Sequence, residues 1–307
     1  MKREVLVLGA SGNFGSRAAE AFETAGWVVR RYRRGTDMAA AARGAGLIVN
    51  GLNPPNYHAW DRLIPEITAQ VLTAARTSGA TVLVPGSVYA YGDQSGPWGP
   101  EVPHRPVSRK GWIRSRMEAD YRAATEAGQR VIMLRGGDYV DPVLPSTIWR
   151  IVMLKGIARG RLTAMGDPGV QRAYAWLPDM ARAAVALAER AEALPAYADI
   201  PFAGHTLSMN QIAERLSVLG GRRMQVGQFP WWALRLVSPF WELGRELLEM
   251  RYLYQTSHHL DPAPMAAILP DFRGVTLDEL LAAHLPPLPS GSADLAARSM
   301  RAVQNAW

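Results

Sequence analysis

A doubly wound α/β chain, with a parallel sheet and a smaller, mostly helical C-terminal lobe, is the fold class this sequence predicts. Three observations predict it. Up to about residue 140, short apolar runs alternate with stretches of helical periodicity, the pattern of a parallel sheet covered on both faces. The first apolar run, Val5–Leu8, breaks directly into Gly9-Ala10-Ser11-Gly12-Asn13-Phe14-Gly15 and then into a helical run. The length of 307 residues, 48% hydrophobic and 20% charged, gives enough apolar surface for one large domain or two smaller ones.

Strands are expected at Val5–Leu8, Trp27–Tyr32, Leu47–Asn50, Thr81–Pro85 and Arg130–Leu134. Helices are expected at Phe14–Thr24, Met38–Arg43, Tyr57–Ser78 and Arg114–Glu126. Gly26, Gly79 and Gly128 each lie between a helix and the next strand, where a left-handed C-cap belongs. After Gly136 the character changes. A helix is expected at Ser146–Ala158, a short strand near Leu162–Met165 and an alanine-rich helix at Pro178–Ala191. Ser208 reads as the N-cap of Met209–Leu219, and Thr276 with Glu279 as a capping box for Leu277–Ala283. The division expected is 1–140 for the sheet domain and 141–307 for the second lobe, with some segments of the latter returning to the sheet. From Pro286 onward the chain is rich in Pro, Ser and Ala, and a loosely held tail is expected.

There are no cysteines, which excludes disulfides, thiolate nucleophiles and cysteine–zinc sites and fits a cytoplasmic chain. The six histidines show no metal-ligand spacing. The start of the chain runs straight into a strand, so no secretory signal is expected, and no apolar run reaches the ~20 residues of a membrane span. The net charge is +7. Its arginines are spread along the chain without a nucleic-acid motif, so neither nucleic acid nor a membrane is expected as a partner, and part of the excess serves an anionic cofactor. The sequence leaves the oligomeric state open, a homodimer included.

A buried strand that turns through spaced glycines into a helix is the phosphate-binding opening of a Rossmann-like dinucleotide fold. Gly9 permits the tight turn, Gly12 lets the backbone approach a pyrophosphate, and Gly15 lets the helix pack on the strand. The amides of Ser11, Asn13 and Phe14 surround the same turn. The second strand ends in Arg30-Arg31-Tyr32-Arg33-Arg34. An acid at this strand end accepts from a ribose 2′-hydroxyl and selects NAD, whereas arginine pairs with a 2′-phosphate. Arg33 and Arg34 therefore predict NADP over NAD. Asn50-Gly51-Leu52 ends the third strand in a small uncharged turn that suits the adenine ribose.

Thr81–Pro85 runs into Gly86-Ser87-Val88-Tyr89-Ala90-Tyr91-Gly92, and Trp176-Leu177-Pro178-Asp179-Met180-Ala181-Arg182-Ala183 follows later. With the glycine opening, these segments resemble the extended short-chain dehydrogenase/reductase family, which includes nucleotide-sugar epimerases and dehydratases. The resemblance runs from residue 2 to about residue 220. It implies a nicotinamide cofactor at the C-terminal edge of the sheet, a small-molecule substrate in the second lobe, and oxidoreductase or epimerase chemistry at a hydroxyl or carbonyl carbon. By position it makes Ser87 the serine that hydrogen-bonds the reacting oxygen. The family's tyrosine and lysine, four residues apart, fall on Lys110 and Arg114, in a register set by Glu118. Arg114 stays protonated and can hold the nicotinamide ribose. Lys110 is a general acid or base if tuned toward neutrality, and otherwise contacts phosphate or solvent. Tyr89, Tyr91 and Tyr139 are alternative proton donors. A binding protein that keeps the dinucleotide without redox catalysis is the competing reading.

Gly136, in Arg135-Gly136-Gly137-Asp138-Tyr139, occupies the turn that the resemblance places over the nicotinamide. Asp138 there either reaches the substrate or caps the turn. Phe229-Pro230-Trp231-Trp232 opens an amphipathic segment, 233–254, that mixes Leu, Trp, Phe and Met with Arg and Glu. Glu242, Glu246 and Glu249 on its polar side speak against an anionic membrane, so core or lid packing over an apolar substrate is expected.

Overall fold

Five apolar runs of the N-terminal half form parallel strands: β1 (Glu4–Leu8), β2 (Val28–Arg31), β3 (Leu47–Asn50), β4 (Thr81–Gly86) and β5 (Val131–Arg135). The computed structural model describes residues 3–286. Between these strands run α1 (Asn13–Thr24), α2 (Met38–Ala42), α3 (Trp60–Ser78) and α4 (Arg109–Ala124). The second half contributes β6 (Asp138–Val140), β7 (Arg161–Ala164), β8 (Arg172–Trp176), α5 (Leu177–Glu189), β9 (Tyr197–Pro201), β10 (His205–Leu207), α6 (Met209–Leu219) and β11 (Gln225–Gln228). Then follow α7 (Trp231–Val237), α8 (Glu242–Glu249), α9 (Ala263–Ile268) and α10 (Leu277–Ala282).

The main sheet is six-stranded and parallel, in the order β2-β1-β3-β4-β5-β9. The chain steps from β1 to β2 and then returns to β3 on the other side of β1. The switch point therefore lies between β1 and β3, where the loops leaving their C-terminal ends diverge. Strand alternation makes a core on each face. Val5 and Val7 pack with Phe14, Ala18 and Phe22 of α1 and with α5. Leu6 and Leu8 pack with Trp60, Ile64 and Val71 of α3 and with Met117 and Tyr121 of α4. A third core, around Trp149, Tyr174, Ile212, Leu216 and Trp231, belongs to the second lobe. Two small sheets, β10-β8-β6 and β11-β7, stiffen that lobe. β9, from beyond residue 140, crosses back to edge the main sheet against β5.

Gly26, Gly79 and Gly128 take left-handed φ values of 77, 72 and 86°, and the capping boxes at Ser208 and Thr276 form. Other boundaries differ from expectation for identifiable reasons. α4 starts at Arg109, five residues before Arg114, because the Ser108 hydroxyl accepts from the Gly111 amide at 3.0 Å. α3 starts at Trp60 and not Tyr57, because Asn56, Tyr57 and Ala59 hold left-handed φ values of 54, 61 and 46°. The helix expected at Ser146–Ala158 is instead a π-helical turn at Trp149–Met153 and a 3₁₀ turn at Ile157–Arg159. The tail expected beyond Pro286 lies outside the described residues.

One buried ion pair joins α1 to the second lobe. Arg17 Nε and Nη2 donate to Asp141 Oδ2 and Oδ1 at 2.7 and 2.8 Å, and the Asp141 side chain is fully buried. Burial alone raises the Asp141 carboxyl. Arg17 and the amides of Leu144 and Val143 outweigh it and hold the group below its ordinary value of 3.8. A depressed native pKa gives stability that is complete above 3.8 and disappears as pH falls through the lower native value. Asp141→Asn should therefore cost ~3 kcal/mol of unfolding free energy at neutral pH. Chemical denaturation at several pH values checks this: the gap between variant and parent should close in strong acid, and a pH-independent gap would contradict the account.

Candidate dinucleotide and active site

The glycine turn leaves no room for side chains at two of its three glycines. A Cβ on Gly9, at φ +72°, would lie 2.5 Å from the Gly51 carbonyl oxygen, and one on Gly15 would lie 2.2 Å from the Gly9 carbonyl oxygen. The β1 turn, the start of α1 and the β3 turn thus touch backbone to backbone. Gly12 differs: a Cβ there would meet the Gly9 carbonyl oxygen at 3.2 Å, a contact that small adjustments relieve. Gly12 is also the N-cap of α1. It supplies no capping side chain, and the first turn holds no acid. The leading amides of α1 thus have no side-chain cap among the described residues, the arrangement that receives an anionic group.

Around this turn Ser11 is exposed, while the Phe14 side chain is 4% exposed and belongs to the core, so Phe14 can offer only its amide. Asn13 Oδ1 accepts from Ser146 Oγ at 2.5 Å. The Asn50 side chain is committed inward, donating to the Tyr121 hydroxyl at 2.9 Å and accepting from the Leu52 amide at 3.3 Å. Gly51 and half-buried Leu52 present the β3 turn beside Gly9. Beyond β2, Arg33 and Arg34 are exposed and have no charged partner among the described residues. Arg30 and Arg31 are engaged by Glu4 and Glu23.

On the other side of the switch point, Ser87 follows the end of β4. Its Oγ is buried and has no hydrogen-bond partner among the described residues. Its carbonyl accepts from Arg135 Nη1 at 2.6 Å. Arg135, fully buried, also grips Glu118 of α4 at 2.6 and 3.0 Å and Asp199 of β9 at 2.7 and 3.2 Å. Gly136 follows it, buried, with its amide on the Gly86 carbonyl at 3.1 Å. Its missing Cβ would press on Met180 at 3.0 Å.

The start of α4 lies against the Tyr89 turn, where a Cβ on Gly111 would be 2.6 Å from the Tyr89 carbonyl oxygen. Arg114 stacks its guanidinium on Trp60 at 4.5 Å and donates to Asn53 Oδ1 at 2.9 Å, while its buried Nε lacks a partner. Burial pulls this guanidinium below its ordinary pKa. Lys110 is shut off from solvent. It is 1% exposed, and its Nζ contacts Glu246 and lies 2.6 Å from Glu249 Oε2, while its amide donates to Glu249 Oε1 at 2.9 Å. α8 is thereby tied down over the start of α4.

Sequence reasoning passed over Tyr57. Its hydroxyl lies 3.3 Å from that of Tyr89, and Trp60 packs against both rings at 4.9 and 6.5 Å. Burial pushes Tyr57 up to about 12 and Tyr89 well above the ordinary phenol value, and the Arg114 charge pulls both the other way. Tyr91 is instead a packing residue, stacked on Trp98 at 5.2 Å with its hydroxyl donating to the Gly99 carbonyl. Asp138 neither caps its turn nor stands alone. It lies 2.7 Å from Arg172 Nη2, and Arg172 stacks on Tyr254 at 4.0 Å. No sequence signal marks Arg172, because only the β6–β8 pairing, which sets Asp138 beside Tyr174, brings it near. The described residues contain no cluster able to hold a metal ion and no helix long and apolar enough to cross a membrane.

No protein-family model matches this sequence, and no curated protein is significantly similar to it. Solved structures do match. MoeE5, in complex with UDP-glucose and NAD, is 18% identical over 92% of this chain and 97% of its own, with a TM-score of 0.72. The UDP-glucuronic acid 4-epimerase from Bacillus cereus, in complex with UDP-glucuronic acid and NAD, gives 16%, 92%, 97% and 0.71. TunA, an NAD-dependent NDP-hexosamine 5,6-dehydratase, gives 16%, 92%, 96% and 0.70. The chain shares the doubly wound, Rossmann-like α/β fold of these proteins. In this fold the glycine turn, Ser87 and Arg114 stand along the C-terminal edge of one sheet.

Gly12 separates fold from binding, since it alone of the three glycines has near-permissible space for a side chain. Gly12→Val should retain the parent melting temperature to within a few degrees and lose dinucleotide binding. A thermal melt and a cofactor titration on the same sample check this. A variant that melts normally and still binds would remove this turn from the site.

Proposed function

We propose that the protein is a nicotinamide-dependent oxidoreductase or epimerase acting at a hydroxyl or carbonyl carbon of a small molecule, with sugar nucleotides as the first class to test. One observation carries the reading. Among the buried polar atoms without a hydrogen-bond partner in the described residues are Ser87 Oγ and Arg114 Nε, and they flank the edge to which the uncapped start of α1 also opens. A buried polar atom left unpaired costs ~1–3 kcal/mol, so a bound ligand is their natural partner. The residues fit a dinucleotide: the amides of Ser11 and Asn13 for a pyrophosphate, the Gly51–Leu52 turn for the adenosine, and Arg114 for the nicotinamide ribose. When bound, this cofactor supplies the hydride acceptor or donor.

Within the site, Ser87 hydrogen-bonds the reacting oxygen. Arg114 keeps the cationic role, four residues after the position where the resembling family carries its tyrosine. The phenol comes from elsewhere: Tyr89, hydrogen-bonded to Tyr57, exchanges the proton with the substrate oxygen under the charge of Arg114. Lys110 positions the lid through Glu246 and Glu249.

Arg33 and Arg34 favour NADP. A well-formed arginine–phosphate contact contributes ~1.5–3 kcal/mol, so NADPH should bind roughly tenfold or more tightly than NADH. Fluorescence titration of both cofactors decides it, and equal dissociation constants would remove the preference.

Turnover decides the class. With UDP-glucose or UDP-glucuronic acid as probes, the protein should reduce bound oxidised cofactor, read at the nicotinamide absorbance band, or convert the sugar, read by NMR. Ser87→Ala and Tyr89→Phe should each cut the rate ~10²-fold or more while leaving cofactor affinity nearly intact, whereas Arg114→Ala should weaken cofactor binding. Full activity in Tyr89→Phe together with a ~10²-fold loss in Lys110→Ala would return the proton to Lys110. Tight cofactor binding without turnover on any hydroxyl or carbonyl probe would favour the sensor reading.

A further inference from the structure

The lid segment, residues 231–245, shows opposite characters on its two faces. Trp231 and Leu234 are buried in the core of the second lobe. Facing outward are Trp232, Leu236, Val237, Phe240 and Trp241, with exposures of 72, 69, 49, 95 and 46%. Five large apolar side chains within ten residues form a patch too concentrated to be the scattered apolar residues of an ordinary surface. Phe240, at the turn between α7 and α8, has almost nothing over it.

The charges of the same segment are sorted as well. Glu246 and Glu249 reach inward to Lys110, and Glu242 is paired with His58 Nδ1 at 3.1 Å. The acids that read from sequence as opposing an anionic surface are thus turned to partners of this chain. The exposed charges beside the apolar patch are Arg235, Arg245 and Glu242, and only Glu242 has an ionic partner, His58. Arg245 donates to the carbonyls of Ser238 and Pro239 at 3.2 and 3.1 Å, which holds the turn that carries Phe240.

We propose that this outer face of the lid docks on the headgroup layer of an anionic phospholipid bilayer. Tryptophan and phenylalanine beside arginine suit that layer, where apolar rings sink to the acyl boundary and guanidiniums meet phosphates. Charge complementarity separates this occupant from a second copy of the chain. A two-fold contact would set Arg235 and Arg245 against their own copies in a protein of net charge +7, whereas an anionic bilayer attracts them. No span is involved; the contact is peripheral.

Co-sedimentation of the full chain with vesicles tests the proposal, using phosphatidylcholine alone and phosphatidylcholine with about a third phosphatidylglycerol. The protein should pellet with the anionic vesicles, and rising salt should weaken the binding. Phe240→Glu and Trp232→Ala should each lower the partition coefficient roughly tenfold or more, and Arg235→Glu should lower it and flatten the salt dependence. All three side chains are exposed, so the variants should melt with the parent. A parent chain that stays in the supernatant with both vesicle types overturns the proposal, as does binding that Phe240→Glu leaves intact. A dimer seen by light scattering that Phe240→Glu converts to monomer assigns the face to a second copy, which also overturns it.

Discussion

The buried guanidinium of Arg135 is the joint on which the active edge of this protein depends. Its five N–H donors are all engaged, by both oxygens of Glu118, both oxygens of Asp199 and the carbonyl of Ser87. Those partners belong to α4, β9 and the turn after β4, so one planar group fixes three elements against β5. Geometry gives it this reach, because a guanidinium presents its donors in a rigid fork. A cation so desolvated holds its place only through that full set of acceptors. The consequences for the site are direct. Ser87 is fixed through its own backbone, and Arg114 and Lys110 lie one and two helical turns before Glu118, so anchoring Glu118 sets the roll of α4.

A second electrostatic tie works from the opposite side. Glu242, Glu246 and Glu249 recur at helical spacing, so they share one face of α8. That face meets His58 and Lys110. The second lobe is thus held over the sheet edge by carboxylates, whereas the interior of each lobe is held by apolar packing. Ion pairs release and re-form more readily than an interdigitated core, so this contact is the more easily opened of the two.

The sheet and the glycine turn were legible in the sequence because they are local. Val5–Leu8, Leu47–Asn50 and Thr81–Pro85 are apolar runs bounded by glycine, and each became a strand of nearly the expected extent. Helix starts were legible where a capping residue marked them, at Ser208 as an N-cap and at Thr276 with Glu279 as a capping box. At α4 the start was missed because Arg109, Lys110 and Gly111 carry no apolar periodicity and Ser108 alone is the signal. What could not be read is whatever depends on long-range pairing. Asp138 meets Arg172 only through the parallel register of β6 and β8. Lys110 meets Glu246 and Glu249 across more than a hundred residues. Tyr57 escaped notice because a helical pattern ran through it, while the backbone there is left-handed.

That left-handed stretch has a consequence for the way this protein could be improved or spoiled. Asn56, Tyr57 and Ala59 each occupy a region that costs a residue with a Cβ about 1 kcal/mol or more, and together they hold the Tyr57 phenol against Tyr89. Glycine at position 59 would relax the backbone and let the loop sample more shapes. Selection for thermal robustness alone would favour such a change. The same change would loosen the hold on Tyr57, because a relaxed loop no longer presents the phenol in one place. Residues 56–59 are therefore where an unstrained backbone and a fixed ring position pull this sequence in opposite directions.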